Sequence, residues 1–144
     1  MIILRHGVLL LFLMALGSCA VKPLQSHDCP GANPGVVPIN INYNAPTIVV
    51  APPKQDADQG DVLQFNLIGA NKVLVSTSGK TPDAGWLNGS GKKKKDGTND
   101  KFFVCVPTDL FDGLPETVKD KEFGYDVNAV GHPQLDPVVT VHRF

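Results

Sequence analysis

The sequence predicts an all-β fold, a Greek-key β-sandwich of about seven strands behind a cleaved signal helix. Three observations carry that prediction. Short runs of β-branched and aromatic residues alternate with polar ones at a period of two. Gly (14 residues) and Pro (12 residues) punctuate the chain between those runs, where a helix would be broken. Beyond the N-terminal segment no stretch keeps a helical period.

The chain opens with Arg5 as a small positive region, then an almost unbroken apolar run from Val8 to Leu16, then Gly17, Ser18 and Cys19. The run is too short to cross a hydrocarbon core of ~30 Å, which takes ~20 apolar residues. A buried core helix would not begin with a charge and end in small residues of the kind a signal peptidase cuts after. Leu16-Gly17-Ser18-Cys19 resembles the lipobox of bacterial lipoproteins. That resemblance covers this segment alone. It implies that residues 1–18 are a lipoprotein signal peptide and that the thiol of Cys19 carries diacylglycerol, with further acylation such as palmitate. Ala20, rather than Asp, follows the cysteine, which by the same resemblance points to the outer membrane, facing the periplasm or the cell surface.

Removing 1–18 takes away one basic residue, Arg5, and leaves 12 Lys and Arg against 14 Asp and Glu, a formal charge of −2. That balance offers no general attraction to nucleic acid, and no aromatics are interleaved with basic residues as a single-strand binder needs. Residues 19–36 read as a lipidated cysteine followed by a Pro/Gly-rich tether, broken by Pro23, Pro30, Gly31, Pro34 and Gly35. Residues 37–144 read as the domain.

Its strands follow in order. Ile39, Ile41 and Tyr43 alternate with Asn40 and Asn42. Thr47 to Val50 is β-branched and stops at Pro52-Pro53. Leu63, Phe65 and Leu67 alternate with Gln64 and Asn66 after a Gly60-Asp61 opening, and Val73 to Val75 follows closely enough to suggest a hairpin. Phe102, Val104 and Val106 alternate with Phe103 and Cys105. Phe123, Tyr125, Val127 and Ala129 alternate with Gly124, Asp126 and Asn128, and Val138 to Val141 closes the series behind Pro137. Leu110 to Val118 allows one turn at most, because Gly113 and Pro115 interrupt it. With Cys19 reserved for lipid, Cys29 and Cys105 remain for a disulfide, as expected in an oxidising compartment. The alternative leaves Cys105 as a small buried hydrophobe and Cys29 loose in the tether.

The strand pattern, the Gly60-Asp61 opening and the Tyr125 to His132 segment are similar to the cupredoxin architecture; an immunoglobulin-like sandwich is the other candidate. In cupredoxins the last loop supplies Cys, His and Met to copper. Here it offers only His132, and both methionines, Met1 and Met14, fall in the signal segment. The resemblance therefore implies a scaffold without copper ligands, and no cofactor is expected. His27, Cys29, His132 and His142 are too scattered to predict a metal site. No Ser lies in a Gly-x-Ser-x-Gly elbow, and Asp58, Asp61, Asp109, Asp112 and Asp136 read as turn formers, Asp136 capping a backbone amide. An enzyme is not expected.

Residues 78–100 depart from the pattern as one long loop. Trp86-Leu87 is expected to plug the open end of the sandwich, and Gly89 to Asp100 to form the tip, with Lys92, Lys93, Lys94 and Lys95 as a basic finger. Trp86 and the four lysines are the candidate contacts for an envelope protein or an anionic glycolipid. The expected function is thus a lipid-anchored, non-catalytic binding or accessory module. The alternative, from another class, is a cupredoxin-derived metal or redox protein of the periplasm.

Overall fold

The structure, a computed structural model, describes residues 29–31, 34–44, 47–69, 74–92 and 101–143. The described residues hold nine strands and no helix: β1 (Val36–Asn44), β2 (Thr47–Ala51), β3 (Lys54–Asp58), β4 (Val62–Gly69), β5 (Leu74–Gly79), β6 (Gly89–Lys92), β7 (Lys101–Cys105), β8 (Asp120–Ala129) and β9 (Val138–His142). Sheet one has the order β2-β1-β4-β7 and sheet two the order β3-β9-β8-β5-β6. The pairs β1–β4 and β3–β9 are parallel and the others antiparallel. The expected all-β sandwich is the observed architecture.

Period-two alternation decides which side chains enter the space between the sheets. Ile39, Ile41, Leu63, Phe65, Leu67, Phe102 and Val104 enter from sheet one; Ala57, Val75, Phe123, Tyr125, Val127, Val139 and Val141 enter from sheet two. Phe65 stacks on Phe102 with ring centroids 4.7 Å apart and meets the edge of Tyr125 at 5.8 Å, so one aromatic cluster joins both layers. Burying a side chain of this size contributes ~2–3 kcal/mol, and most of the strand pattern is explained by that term. The Tyr125 hydroxyl donates to Gln55 Oε1 at 3.0 Å, and the Gln55 amide donates in turn to the Pro52 carbonyl. Burial pushes the Tyr125 hydroxyl pKa up, so it stays a donor.

The expected hairpin between Leu63–Leu67 and Val73–Val75 does not form. β4 is flanked by β1 and β7 in sheet one, whereas β5 pairs with β6 and β8 in sheet two. Alternation fixes which face of a strand is buried; it does not say which neighbour the strand takes. The crossing follows Gly69, which has φ +136° and lies so close to the Tyr43 carbonyl that a Cβ would come within 2.0 Å of it.

Two strands lay outside the expected seven. β3 buries Gln55 and Ala57 and exposes Lys54 and Asp56, so its alternation lacks the apolar signature. β6 is Gly-Ser-Gly-Lys, from the segment expected to be loop tip, and its glycines face the Phe102 ring. A Cβ at Gly89 or Gly91 would come within 2.6 or 2.8 Å of that ring. Glycine here makes room for an aromatic of the facing sheet, a requirement that only the tertiary structure states.

Cys29 and Cys105 form a disulfide with Cα atoms 5.4 Å apart across a sequence separation of 76. It fixes the end of the expected tether as a docked strap. Cys29 is buried against Val62 and Phe103, Gly31 lies on Gly60, and the Gly35 amide donates to Asp61 Oδ1 at 2.8 Å. Asp61 also accepts from the Asp58 amide at 2.9 Å, the turn-forming role expected of it. Asp136 departs from expectation. Leu135 and Val127 exchange both backbone bonds (2.8 and 3.0 Å), so the turn needs no side-chain cap; the carboxylate bonds to Lys80 at 2.9 Å and Gln134 at 3.2 Å instead. Lys80 holds the Asp136 carboxyl below its usual range.

Candidate functional site

The register divides the sandwich into two ends. Cys105 opposite Val62, and His142 opposite both Asp58 and Asp120, mark the proximal end, where the strap attaches. Gly69 beside Tyr43, Lys92 opposite Leu74, and Ala129 opposite Val75 mark the distal end. β6 finishes at Lys92 and β7 starts with Lys101 near this end, so the chain that carries Lys93, Lys94 and Lys95 leaves and returns there. Those three lysines and the Lys92 side chain lie outside the described residues, as do residues 1–18, Cys19 and His27.

Trp86 sits before the other end of β6, so the structure does not bring it beside Lys92. Its ring meets Phe123 edge-on at 5.4 Å, and Leu87 beside it is fully buried. This is the expected plug, at the proximal side. The Trp86 indole nitrogen, though buried, has no acceptor among the described residues.

The histidines are kept apart by the length of β8. His132 follows Ala129 and places its ring edge-on to Tyr43 at 4.8 Å, closing the distal end. His142 lies opposite Asp120, and ten residues of strand separate the two ends by about 30 Å. No group of three or more His, Cys, Asp or Glu among the described residues is arranged to hold a metal ion. His142 instead bridges carboxylates: Nδ1 is 2.6 Å from Asp120 Oδ1 on β8, and Nε2 is 3.5 Å from Asp56 Oδ1 on β3. Asp120 first and Asp56 second raise its pKa above the ordinary histidine value.

The outer faces of the two sheets are chemically unlike, a feature that the strand-by-strand reading missed. On sheet two the outward positions include Asp56 and Asp58 of β3 and Asp120, Glu122 and Asp126 of β8. Lys54 pairs with Glu122 at 2.6 Å, and Lys80 lies 3.8 Å from Asp126. On sheet one the outward positions are Thr47, Val49 and Ala51 of β2, Val36, Pro38, Asn40 and Asn42 of β1, Gln64, Asn66 and Ile68 of β4, and Lys101, Phe103 and Cys105 of β7. Among the described residues Lys101 is the one charge on this face, over the Phe103 ring. Amides run across it in a chain, Gln64 to Asn66 at 2.8 Å and Asn66 to Asn40 at 3.1 Å. The signal was available in the sequence: the polar partners of the alternating positions are Asn and Gln in β1 and β4, and mostly Asp and Glu in β3 and β8.

No protein-family model matches the sequence, and no curated protein matches it. Among solved structures the fold is similar to amicyanin in its reduced Cu(I) form at pH 4, with 12% identity and a TM-score of 0.43, over 84% of this chain and 92% of that one. It is also similar to part of a Bacteroides ovatus GH5 xyloglucanase in complex with a XXXG heptasaccharide, with 18% identity and a TM-score of 0.35, over 63% of this chain and 17% of that one. These are likenesses of fold, and no residue role passes from them to this chain.

Proposed function

We propose that this chain is a lipid-anchored cell-envelope protein, mature from Cys19, whose β-sandwich is a non-catalytic binding or accessory module. The observation that carries the reading is Leu16-Gly17-Ser18-Cys19 behind a short apolar run, where a cysteine at the first mature position has a chemical use. The Cys29–Cys105 disulfide supports an oxidising compartment, since such bonds are rare where thiols are kept reduced. The outer membrane, facing the periplasm or the surface, is the proposed location. The direct test is the mass of the mature N-terminus from native membranes: Cys19 carrying diacylglycerol and acyl chains is expected. A Cys19→Ser chain that still fractionates with membranes after a carbonate wash overturns the anchor.

The module's contact is proposed at the distal end, through Lys92 to Lys95, with an envelope protein or an anionic glycolipid. Each lysine near an anionic surface contributes ~1 kcal/mol. Replacing all four by Gln is expected to remove the salt-sensitive part of partner retention in an envelope pull-down. An unchanged partner set removes this contact from the proposal and leaves the anchor standing.

A further inference from the structure

We propose that the outer face of sheet one, free of carboxylates in its described strands, is a membrane-docking surface: the anchored domain rests this face on the headgroup layer of its own membrane and turns the carboxylate face of sheet two away. The inference rests on the Cys19 anchor proposed above and adds to it an orientation.

The first argument is where the chain leaves the domain. Cys29 is bonded to Cys105 of β7 and packed on Val62 and Phe103, all on the outward side of sheet one. Cys29, the described residue nearest to Cys19 in the chain, is therefore held on this face. Ten residues separate Cys19 from Cys29 and can span at most about 35 Å when fully extended. β1, with nine residues, is itself about 30 Å long. A leash of about the same length as β1 keeps sheet one near the membrane; it does not by itself choose between lying flat and standing on end.

Charge makes that choice. Five carboxylates (Asp56, Asp58, Asp120, Glu122, Asp126) point outward from sheet two against Lys54, which pairs with Glu122, and Lys80 beside Asp126, so negative charge is in excess there; no carboxylate points outward from the described strands of sheet one. Within a Debye length of about 8 Å an anionic leaflet repels the first face and leaves the second unopposed.

The surface chemistry fits a headgroup layer better than a protein partner. Asn40, Asn42, Gln64 and Asn66 supply amide donors for phosphate and ester oxygens, and the internal chain from Gln64 to Asn40 consumes only part of that capacity. Val49 and Val36, 53% and 49% exposed, add modest apolar area. Among the described residues, the Trp, Tyr and Arg anchors that concentrate binding energy in protein interfaces are absent from this face. Adhesion of this kind is weak in solution. It suffices here because a short tether supplies a millimolar effective concentration of the surface.

The two strands at one edge of the sandwich give an internal control: β2 belongs to the docking face and β3 to the acidic face. Chain 19–144 with its disulfide intact has Cys19 as the one free thiol, which couples to a maleimide lipid in phosphatidylcholine vesicles with or without phosphatidylglycerol. Amide hydrogen exchange of Thr47–Ala51 is expected to slow several-fold on vesicles relative to solution, with Lys54–Asp58 unchanged. Equal slowing of both strands, slowing of Lys54–Asp58 alone, or no slowing overturns the proposal. Slowing of Thr47–Ala51 in solution as protein concentration rises assigns the face to a second copy and also overturns it. The double substitution Asn42→Asp and Val49→Glu, at outward positions, is expected to return the vesicle-bound rate on anionic vesicles to the solution rate. Synthetic coupling makes this test independent of natural lipidation, which the N-terminal mass decides separately.

Discussion

Sheet one and sheet two bury the same kind of side chain and expose different ones. Ile39, Ile41, Phe65 and Leu67 on one side of the core face Phe123, Tyr125, Val127 and Val139 on the other. Either outer face would satisfy the fold with any polar residue, because outward positions contribute little to burial. The choice of Asn and Gln on one and of Asp and Glu on the other is therefore free of the fold. What the comparison teaches is that the inward half of each strand states how the chain folds, and the outward half states what surrounds it.

The largest test removes what fastens the strap to the outer face of sheet one. Replacing both Cys29 and Cys105 by Ser opens a closed loop of 76 residues and, in the chain-entropy account, costs about 4 kcal/mol as an upper figure. It also frees the cover over Val62 and Phe103. The expected outcome is a large fall in the denaturant midpoint with a larger m-value, because the denatured chain is no longer cross-linked and exposes more surface, and faster exchange in β7 before β8. A loss confined to well under 1 kcal/mol would mean that the packing of Cys29 and the Gly35–Asp61 bond hold the strap without the disulfide.

Next in size is Arg143, at the proximal rim beside sheet two. Its guanidinium donates to the carbonyls of Pro115 (2.8 Å), Phe111 (3.0 Å), Leu114 (3.3 Å) and Val118 (3.4 Å), and lies over the Phe111 ring. Arg143→Gln cannot reach all four acceptors and is expected to cost about 2 kcal/mol, since bonds from a charged donor are worth more than neutral ones. Proteolysis of the 109–118 turn should rise with it. Smaller again is Asn66→Ala on the outer face of sheet one, which breaks two amide bonds at a half-buried position for about 0.5 kcal/mol. Because no titrating group takes part in that amide chain, its cost should be the same at any pH between about 5 and 9.

Much of this fold was legible because the core-facing residues of β1, β4, β7, β8 and β9 are apolar and alternate. β3 was not, since its buried positions are Gln55 and Ala57 and their use depends on Tyr125, 70 residues away. β6 was not, since its residues are chosen for what they leave empty beneath Phe102. The β4–β5 hairpin failed for a related reason: sequence proximity competes with the parallel β1–β4 pairing, which local pattern does not encode. Of the candidate site, the Cys29–Cys105 pairing was readable by elimination, whereas the separation of Trp86 from Lys92 required the course of β6.

The smallest expected effect divides the two faces by pH. His142 sits between Asp120 and Asp56, with Asp58 at its register position on β3. Its carbonyl accepts from the Gln59 amide, so the backbone there is fixed whatever the ring's charge. The two carboxylates raise its pKa in the folded protein above the ordinary value of 6.5. A group whose folded pKa is raised stabilises most below the unfolded value, and that contribution is lost as pH climbs through the folded one. Since the ring is partly exposed, the effect is discounted to about 2 °C in the unfolding midpoint of a domain this size. Wild type should exceed His142→Gln by that margin near about pH 5.5, and the gap should close near about pH 8.5. Salt should reduce the margin at the lower pH, because the three groups are reached by solvent. Asn66→Ala measured alongside should lose the same amount at both values. A His142 margin that persists at the higher pH would make the ring a packing residue and leave the acidic face to the pairs of Lys54 with Glu122 and of Lys80 with Asp126 and Asp136.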